Sequence, residues 1–565
     1  MDRKTLIAIV ICGVVMLLYY PFILPLFSSK KPKPIEEINE QVISEKQADT
    51  KTAAESKLST TPPTQTLQPQ AEIPLQEVII ENELLKTVWT NEGASLKSIK
   101  LKQFKDAEAK NILELIKNAE TEYHPLAIEN ILQKTNFQRH RYKIIEQSGN
   151  KIVFTIGLED GINLTKTIEL LPGKYNINMT VVLENNTDTE VALSYNIIAS
   201  SMITHEGEPS TDMAAVTGLD TGNKRIKLVR TALKEFPSKN ESVGIVWTGS
   251  TNKYFSTILK PASSDLVASI NVQAFDILGT LTNEKADGGD FMVTLQTNKF
   301  QISPHNAVTH SYIYFLGPKK EEVLKQYENL DALLSYGWLT SISKVLLTFL
   351  NAVHRVVPNY GISIIILTII IKAMLFPLTR KSQVSMFRMQ QLQPMISQLK
   401  EKYKHDKQRM GKEQMLLFKK HGANPMSGCL PMLLQLPVFF ALFRTLQLSF
   451  EMRQAPFMFW INDLSRPDTL LNLPFTIPFL GNGLNILPLI MTVASFFQMK
   501  LTPKAPAADP QAQAQQKMMS FMPIMFAFIL YHMPSGLTVY WTTSTIFSII
   551  ESLVIRKSLK KIKIK

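Results

Sequence analysis

Long apolar blocks, almost free of charge, dominate the chain after Gly337 and restrict what it can fold into. About 20 consecutive apolar residues are enough to cross a bilayer as a helix, and a helix satisfies its own backbone hydrogen bonds inside lipid. Prolines within such a helix are tolerated because neighbouring helices satisfy the exposed backbone groups. We therefore predict a membrane α-helical bundle of six transmembrane helices, at residues 5–27, 358–378, 426–446, 484–501, 518–532 and 536–555.

The first apolar run, Leu6 to Phe27, follows the charged start Met-Asp-Arg-Lys, as in a signal peptide. It is about 22 residues long, and no small-residue cleavage site follows it. We interpret it as an uncleaved signal anchor whose residues 1–4 lie in the cytoplasm. The two cysteines, Cys12 and Cys429, lie in or beside apolar blocks, which disfavours a disulfide framework.

Charge divides the chain and orients the predicted helices. Residues 337–565 hold 26 Lys and Arg against 8 Asp and Glu, whereas the preceding residues carry a net charge of −5. The segment 379–425 holds 11 basic and 3 acidic residues, the tail 556–565 holds six basic residues and no acid, and the loop 447–483 is slightly acidic. Because basic loops stay inside, we expect both termini, the segment 379–425 and the loop 502–517 in the cytoplasm. These charges flank apolar blocks without a recognition motif, so we expect no DNA partner.

The segment between the first two spans changes composition twice. Residues 28–75 are rich in Pro, Lys, Glu, Thr and Gln and poor in aromatic residues, which predicts a flexible linker. Residues 76–320 contain recurrent β-rich runs separated by Gly, Asn and Asp, which predicts an all-β sandwich domain outside the cytoplasm. The runs are Glu77–Glu81, Lys151–Ile156, Leu164–Leu170, Asn176–Leu183, Phe291–Leu295 and Ser311–Phe315, and Ala107–Ile116 is a candidate helix. We find no nucleophile-base set, metal cluster or phosphate loop, and therefore predict no enzymatic activity, cofactor or metal.

Two further segments have helical apolar periodicity. Residues 330–357 predict an amphipathic helix lying in the membrane interface, although a helix packed beneath the soluble domain is an open alternative. Residues 379–425 predict a cytoplasmic helical hairpin, because Met386, Met389, Leu392, Ile396, Leu399 and Tyr403 form a stripe at nearly heptad spacing. Its basic face suits acidic phospholipid or ribosomal RNA, or is simply solvated.

Lys372 stands alone within the second predicted span, where a charge costs roughly 2.5–3.5 kcal/mol on insertion scales. One interpretation is that its side chain bends toward the cytoplasmic headgroups. The other is that it faces a water-accessible groove, which polar residues of the same or other spans would line. We expect no acidic partner in mid-span, which argues against a proton relay. The polar candidates are Thr368, Gln435, Ser495, Gln498 and Thr542.

These residues belong to segments that resemble the YidC/Oxa/Alb family of membrane protein insertases, in its Gram-negative bacterial form. The resemblance covers essentially the whole chain, and its strongest pieces are Gly361–Ile366, Phe376–Thr379, Asn424–Pro431, Gln435–Leu442, Arg453–Phe457 and Pro534–Leu537. It implies insertion, folding and assembly of membrane proteins in the bacterial inner membrane through a hydrophilic groove open to the cytoplasm and to lipid. The β-domain would then be periplasmic.

The resemblance also implies partners and roles for individual residues. The partners are nascent membrane proteins, the Sec translocon, the ribosome and membrane lipids. Lys372 stands where the family usually has arginine, and a lysine keeps the charge but lacks the bidentate guanidinium. Tyr540 and Trp541 would contact the client, Trp541 replacing a second tyrosine. The hairpin would recruit partners through Arg380, Lys381, Arg388, Lys402 and Lys404.

Two other classes of function remain open from the residues. A small-solute transporter or channel would use Lys372 to bind an anion, but the chain has no obvious inverted repeat. A structural scaffold would merely anchor the β-domain. Replacing Lys372 by Ala separates these readings from an insertase.

Overall fold

The computed structural model describes residues 73–117, 123–131, 137–158, 161–201, 203–205, 213–222, 226–232, 244–275, 281–282, 290–334, 339–424, 430–502 and 510–559. The predicted signal anchor and nearly all of the predicted linker lie outside these residues, as do Cys429, residues 503–509 of the loop 502–517 and the end of the basic tail.

Among the described residues between 77 and 318, twenty strands form an antiparallel β-rich domain. Four sheets result, with strand orders β1-β2-β3-β4, β13-β12-β14-β15-β20-β9-β8-β7-β6, β17-β16-β18-β11-β5 and β10-β19. The strands are β1 Glu77–Glu81, β2 Leu85–Thr90, β3 Ser95–Lys105, β4 Ile112–Lys117, β5 Ile128–Glu129, β6 Lys143–Gln147, β7 Lys151–Gly157, β8 Ile162–Leu170, β9 Asn176–Asn185, β10 Val191–Leu193, β11 Asn196–Ser200, β12 Ala214–Asp220, β13 Ile226–Ala232, β14 Ile245–Thr251, β15 Phe255–Pro261, β16 Val267–Phe275, β17 Leu281–Thr282, β18 Phe291–Thr297, β19 Phe300–Ile302 and β20 Ala307–Pro318.

Alternation of apolar and polar residues explains the layers of this domain. In β8, Leu164, Lys166 and Ile168 point into the core, while the residues between them are only partly buried. The five-stranded sheet packs on the nine-stranded sheet, where Ser200 of β11 meets Thr257 of β15 with hydroxyl oxygens 2.6 Å apart. Each of the six β-rich runs chosen from the sequence lies in a strand, so the prediction of a large β-domain is confirmed.

The candidate helix at residues 107–116 is wrong. Residues 112–117 form β4, which pairs antiparallel with β3 and places Ile116 opposite Ile99. Leu113 and Leu115 are buried while Ile112 is exposed, which is the two-residue period of a strand. Pairing with β3 outweighs the local helix propensity of the Ala, Glu and Lys residues that precede β4.

The rest of the described chain is mainly helical. A short helix, α1 (Glu321–Leu324), follows the β-domain, and a two-stranded hairpin of β21 (Thr469–Ile477) and β22 (Gly481–Asn485) interrupts the helices. The other helices are α2 Thr340–Val356, α3 Tyr360–Gln391, α4 Gln393–Lys402, α5 Lys407–Lys420, α6 Leu430–Leu448, α7 Leu487–Leu501, α8 Pro510–Leu530 and α9 Ser535–Leu559. Among the described helices, α3 and α9 are long and apolar enough to cross a membrane.

Several predicted boundaries differ from the observed ones. Helix α3 contains the second predicted span and continues beyond residue 378, through Pro377, to Gln391. A proline removes only one backbone hydrogen bond, and the helix tolerates this loss. The predicted interfacial helix begins later, at Thr340, after a 3-10 turn at Leu330–Leu333. The predicted fourth span overlaps β22, so α7 begins only at Leu487.

Helices α2, α3, α6, α7, α8 and α9 share one apolar core. Leu346 and Leu350 of α2 are buried in it, and the Ser343 hydroxyl donates a hydrogen bond of 3.2 Å to the carbonyl of Ala441 in α6. The opposite side of α2 leaves Val345 and Val356 exposed. Helix α2 therefore packs on the bundle with one face and presents apolar side chains on the other.

Helices α4 and α5 form a smaller core with the end of α3. Met389, Leu392 and Ile396 from the predicted heptad stripe are buried there against Phe418 and Ala423. Asp406 caps α5, since its carboxylate accepts a hydrogen bond from the Arg409 amide.

The segment after α6 fastens the helices to the β-domain. Phe450 lies in the core of the β-domain, with ring centroids 5.3 Å from Phe104 and 5.4 Å from Phe255. Arg453 donates to the carbonyl of Lys105, and the Gln454 amide donates to the carbonyl of Asp106 at 2.6 Å. This junction fixes one end of α6 relative to the sheets.

Candidate functional site

Lys372 lies on the seam between α3 and α9. Its ammonium nitrogen donates to the hydroxyl of Ser548 at 2.9 Å, and the side chain is partly buried. Further along the same seam, the amide of Gln383 donates to the hydroxyl of Ser552 at 3.2 Å. Residues 372 and 383 lie three helical turns apart and therefore face the same side of α3, as residues 548 and 552 do on α9. Both helices thus turn a polar face toward each other.

The expectation of no acidic partner in mid-span is wrong, because Glu551 belongs to the same seam. It lies within the predicted span 536–555, is only 3% exposed, and interacts electrostatically with Lys372. Neither of its carboxylate oxygens has a hydrogen-bond partner among the described residues. The sequence signal was present, since an acid between Ile550 and Ser552 interrupts an apolar run at a cost that lipid-facing residues rarely bear.

A second polar contact joins α6 to α9. The Gln435 amide donates to the phenol oxygen of Tyr540, which is almost fully buried. Trp541 follows, and its ring centroid lies 4.9 Å from the rings of both Phe439 and Phe526. The two predicted aromatics therefore take different environments, one bonded to a polar group and one packed between aromatic rings.

The remaining predicted polar residues are not joined to Lys372 by a described hydrogen bond. The hydroxyls of Thr368 and Ser495 donate to carbonyls of their own helices, at 2.6 Å from Ile364 and 2.8 Å from Met491. Such bonds satisfy a hydroxyl without a partner helix. Thr542 is buried, and its hydroxyl has no described hydrogen-bond partner. Gln498 is partly buried on α7.

The basic residues predicted for recruitment sit on the end of α3 and around α4. Arg380, Lys381, Lys402 and Lys404 are exposed. Arg388 is partly buried and donates at 3.4 Å to the carbonyl of Gly422, beyond α5. Four of the five cationic side chains therefore point into the surroundings, while Arg388 holds the turn after α5 against α3.

The described residues contain no group of three or more His, Cys, Asp or Glu side chains placed to hold a metal ion. The seam instead offers hydrogen-bond donors, hydroxyls and one charge of each sign. Such groups bind polar segments and exchange hydrogen bonds with them.

Comparison with known proteins gives two family matches that together span most of the chain. Residues 77–349 match the YidC periplasmic domain, and residues 352–562 match the 60Kd inner membrane protein family. The membrane protein insertase YidC of Pelobacter propionicus is 32% identical over 571 residues, covering 99% of both chains. That of Geotalea uraniireducens is 31% identical over 99% of this chain and 100% of the relative. Among solved structures, a galactose mutarotase-like protein from Lactobacillus casei aligns with 43% of this chain and 100% of its own, at 11% identity and a TM-score of 0.31, which is too low to support an argument.

Proposed function

The chain belongs to the YidC family of membrane protein insertases, and from this premise we propose that it moves the polar segments of its clients along the seam of Lys372. It is an inner membrane protein that inserts other membrane proteins. The observation that carries the proposal is an ammonium group between two membrane-type helices whose described hydrogen-bond partner is a single serine hydroxyl.

The physical task of an insertase is to carry polar residues past the apolar centre of the bilayer. An unsatisfied amide or hydroxyl costs roughly 2–7 kcal/mol on transfer from water to an apolar medium. Lys372 and the hydroxyls of Ser548 and Ser552 offer hydrogen bonds along the path, which lowers that cost. An ammonium has three donors, so Lys372 can bind a client carboxylate or carbonyl in addition to Ser548. Burial of the client's apolar segment in lipid supplies the driving force.

We assign the neighbouring residues to the same path. Gln435 and Tyr540 lie on α6 and α9 and form the next polar contact, while Thr542 adds a buried hydroxyl. Thr368, Ser495 and Gln498 supply further polar groups, and Trp541 adds an aromatic wall beside Phe439 and Phe526. The resulting groove opens to the cytoplasm and to lipid.

The proposed topology follows the distribution of charge. Six spans place both termini in the cytoplasm and the β-domain in the periplasm, because the segment 379–425 and the tail 556–565 are strongly basic. The helices α4 and α5 then form a cytoplasmic hairpin. Its exposed residues Arg380, Lys381, Lys402 and Lys404, with the partly buried Arg388, would meet the ribosome or acidic lipids, and the Sec translocon is a partner for some clients.

Depletion of the native protein and complementation with variants tests the role of Lys372. We expect Lys372→Ala to reduce insertion of reporter membrane proteins, whereas Lys372→Arg retains it because the charge persists. Lys344→Ala is the matched control, since Lys344 is an exposed lysine on α2. Normal insertion with Lys372→Ala at wild-type protein abundance would refute the proposal.

A second experiment locates the client. A photo-crosslinking residue at position 372 or 435 should capture a stalled nascent membrane protein. The same residue at position 493 is the control, because Val493 is 64% exposed on α7 and faces away from the bundle core. Equal capture at 372 and 493 would contradict a path along the seam.

A further inference from the structure

Glu551 is the acidic residue that the proposed mechanism leaves without a role. Its side chain is 3% exposed, and both carboxylate oxygens lie buried without a described hydrogen-bond donor. A carboxylate in such a place is costly unless a cation offsets it. An apolar residue would fit the same helix without that cost, so the carboxylate needs a reason to be there.

Lys372 is the cation that faces it. Ser548, which accepts the hydrogen bond from the Lys372 ammonium at 2.9 Å, precedes Glu551 by three residues on α9 and therefore shares its face. The two charged groups interact electrostatically. Yet the ammonium bonds to the hydroxyl, and the carboxylate keeps both oxygens unbonded. Lys372 and Glu551 are therefore neighbours of opposite charge that do not form a hydrogen-bonded ion pair.

We propose that Glu551 is the internal counter-charge of Lys372 and determines which client segments the seam accepts. This inference rests on the proposed function of Lys372. An acidic client segment competes with Glu551 for the cation, and the two carboxylates repel each other within the seam. A neutral polar segment meets no such competition. Glu551 therefore disfavours acidic segments relative to neutral ones, and the seam discriminates by client charge.

The variant Glu551→Gln removes the charge and keeps the shape of the side chain. It leaves Lys372 as an uncompensated cation, which attracts an acidic segment more strongly. The test uses full-length protein in depleted cells and two reporters that differ only by Asp or Asn at one place in the segment to be translocated. The measured quantity is the ratio of inserted Asp reporter to inserted Asn reporter. We expect Glu551→Gln to raise this ratio at least about threefold, since coupling between contacting charges commonly reaches that size.

Two control variants separate charge from fold. Glu551→Asp keeps the carboxylate and should leave the ratio within about twofold of the wild type. Glu401→Gln removes an exposed acid from α4 and should leave it unchanged. An unchanged ratio in Glu551→Gln at normal protein abundance overturns the inference, and so does an equal rise in Glu401→Gln.

A double-mutant cycle tests whether Glu551 acts through Lys372. In a Lys372→Met background, residual insertion should show the same Asp to Asn ratio with Glu551 or Gln at position 551. A rise that persists without Lys372 overturns the inference. Failure of the proposed function looks different, because Lys372→Met alone would then insert both reporters normally.

Discussion

Lys166 is a buried lysine in the middle of β8, and its titration should make the stability of the β-domain depend on pH. The side chain is completely buried on β8, and its ammonium donates to the carbonyls of Ala94, at 2.7 Å, and Leu126. Both acceptors have positive φ angles, 45° and 67°, so the lysine holds two turns that non-glycine residues rarely adopt. Burial lowers the pKa of Lys166 from 10.5 to about 7.

The sign of the effect follows from proton counts. Between pH 7 and 10.5 the unfolded chain keeps the Lys166 proton while the folded domain has released it, so the free energy of unfolding rises with pH. The difference of about 3.5 in pKa sets a ceiling of about 5 kcal/mol, at 1.36 kcal/mol for each unit. Between pH 7.5 and 9.0 we expect a gain of about 2 kcal/mol. Two other buried groups affect stability mainly below this pH range, because burial lowers the pKa of His124 to about 4 and raises that of Glu129 to about 7.

Urea unfolding of the full-length protein in detergent measures this gain. Trp89 and Trp247 are fully buried in the β-domain and report its unfolding by fluorescence. With a urea dependence of 1–3 kcal/mol per molar, a gain of about 2 kcal/mol moves the midpoint upward by roughly 0.7–2 M between pH 7.5 and 9.0.

Two variants test whether Lys166 causes the rise of the urea midpoint with pH. Lys166→Met fills a similar volume without a titrating group, so its unfolding midpoint should be the same at both pH values. Lys100→Met changes an exposed lysine on β3 and should retain the wild-type rise. A flat wild-type profile, or a rise that survives in Lys166→Met, refutes the reasoning.

Two further substitutions test single contacts. Asp468 accepts hydrogen bonds from the amides of Ile486, at 3.0 Å, and Leu487, at 2.6 Å, at the start of α7, so Asp468→Ala should cost about 1–2 kcal/mol. Proteolysis between β21 and α7 should be faster in Asp468→Ala than in Asp468→Asn. Equal rates in the two variants would contradict this prediction. A Cβ on Gly249 would lie 1.9 Å from the backbone oxygen of Thr257, so Gly249→Ala should destabilise the β-domain by about 3 kcal/mol. Gly149→Ala meets no atom within 4 Å and should change the urea midpoint little, and equal midpoints for the two variants would refute the predicted clash.

Strand periodicity was the most informative local signal. In Leu164–Leu170 the alternation fixes the core face of β8, and the same pattern places Lys166 inward, although an inward lysine contradicts the usual preference for buried residues. The Ala-, Glu- and Lys-containing stretch at residue 107 favours a helix locally, but it forms the connection between β3 and β4, and the pairing of Ile112 with Lys105 overrides that propensity.

The candidate site was predictable in part. The cost of a lone charge singled out Lys372, and no knowledge of the fold was needed for that inference. Its pairing with Ser548 depends on which helices are neighbours, and apolar blocks of similar composition do not encode that order. The average composition of the span 536–555 is apolar and hides Glu551, although a single acid within such a span is itself informative. Helix α3 continues through Pro377 beyond the predicted span, because a proline only weakens a helix that its neighbours support.

Helix α3 is continuous, and it links the seam of Lys372 directly to the small core that α4 and α5 form with its end. At 32 residues this helix is about 48 Å long, and Lys372 and Met389 stand about 25 Å apart on one rod. A force applied where α4 and α5 pack against α3 therefore reaches the lysine through helical backbone instead of a compliant loop. Pro377 lies between the two points, and the missing hydrogen bond makes it the place where this rod bends most readily. A movement of α4 and α5 therefore bends α3 at Pro377, which lies five residues after Lys372.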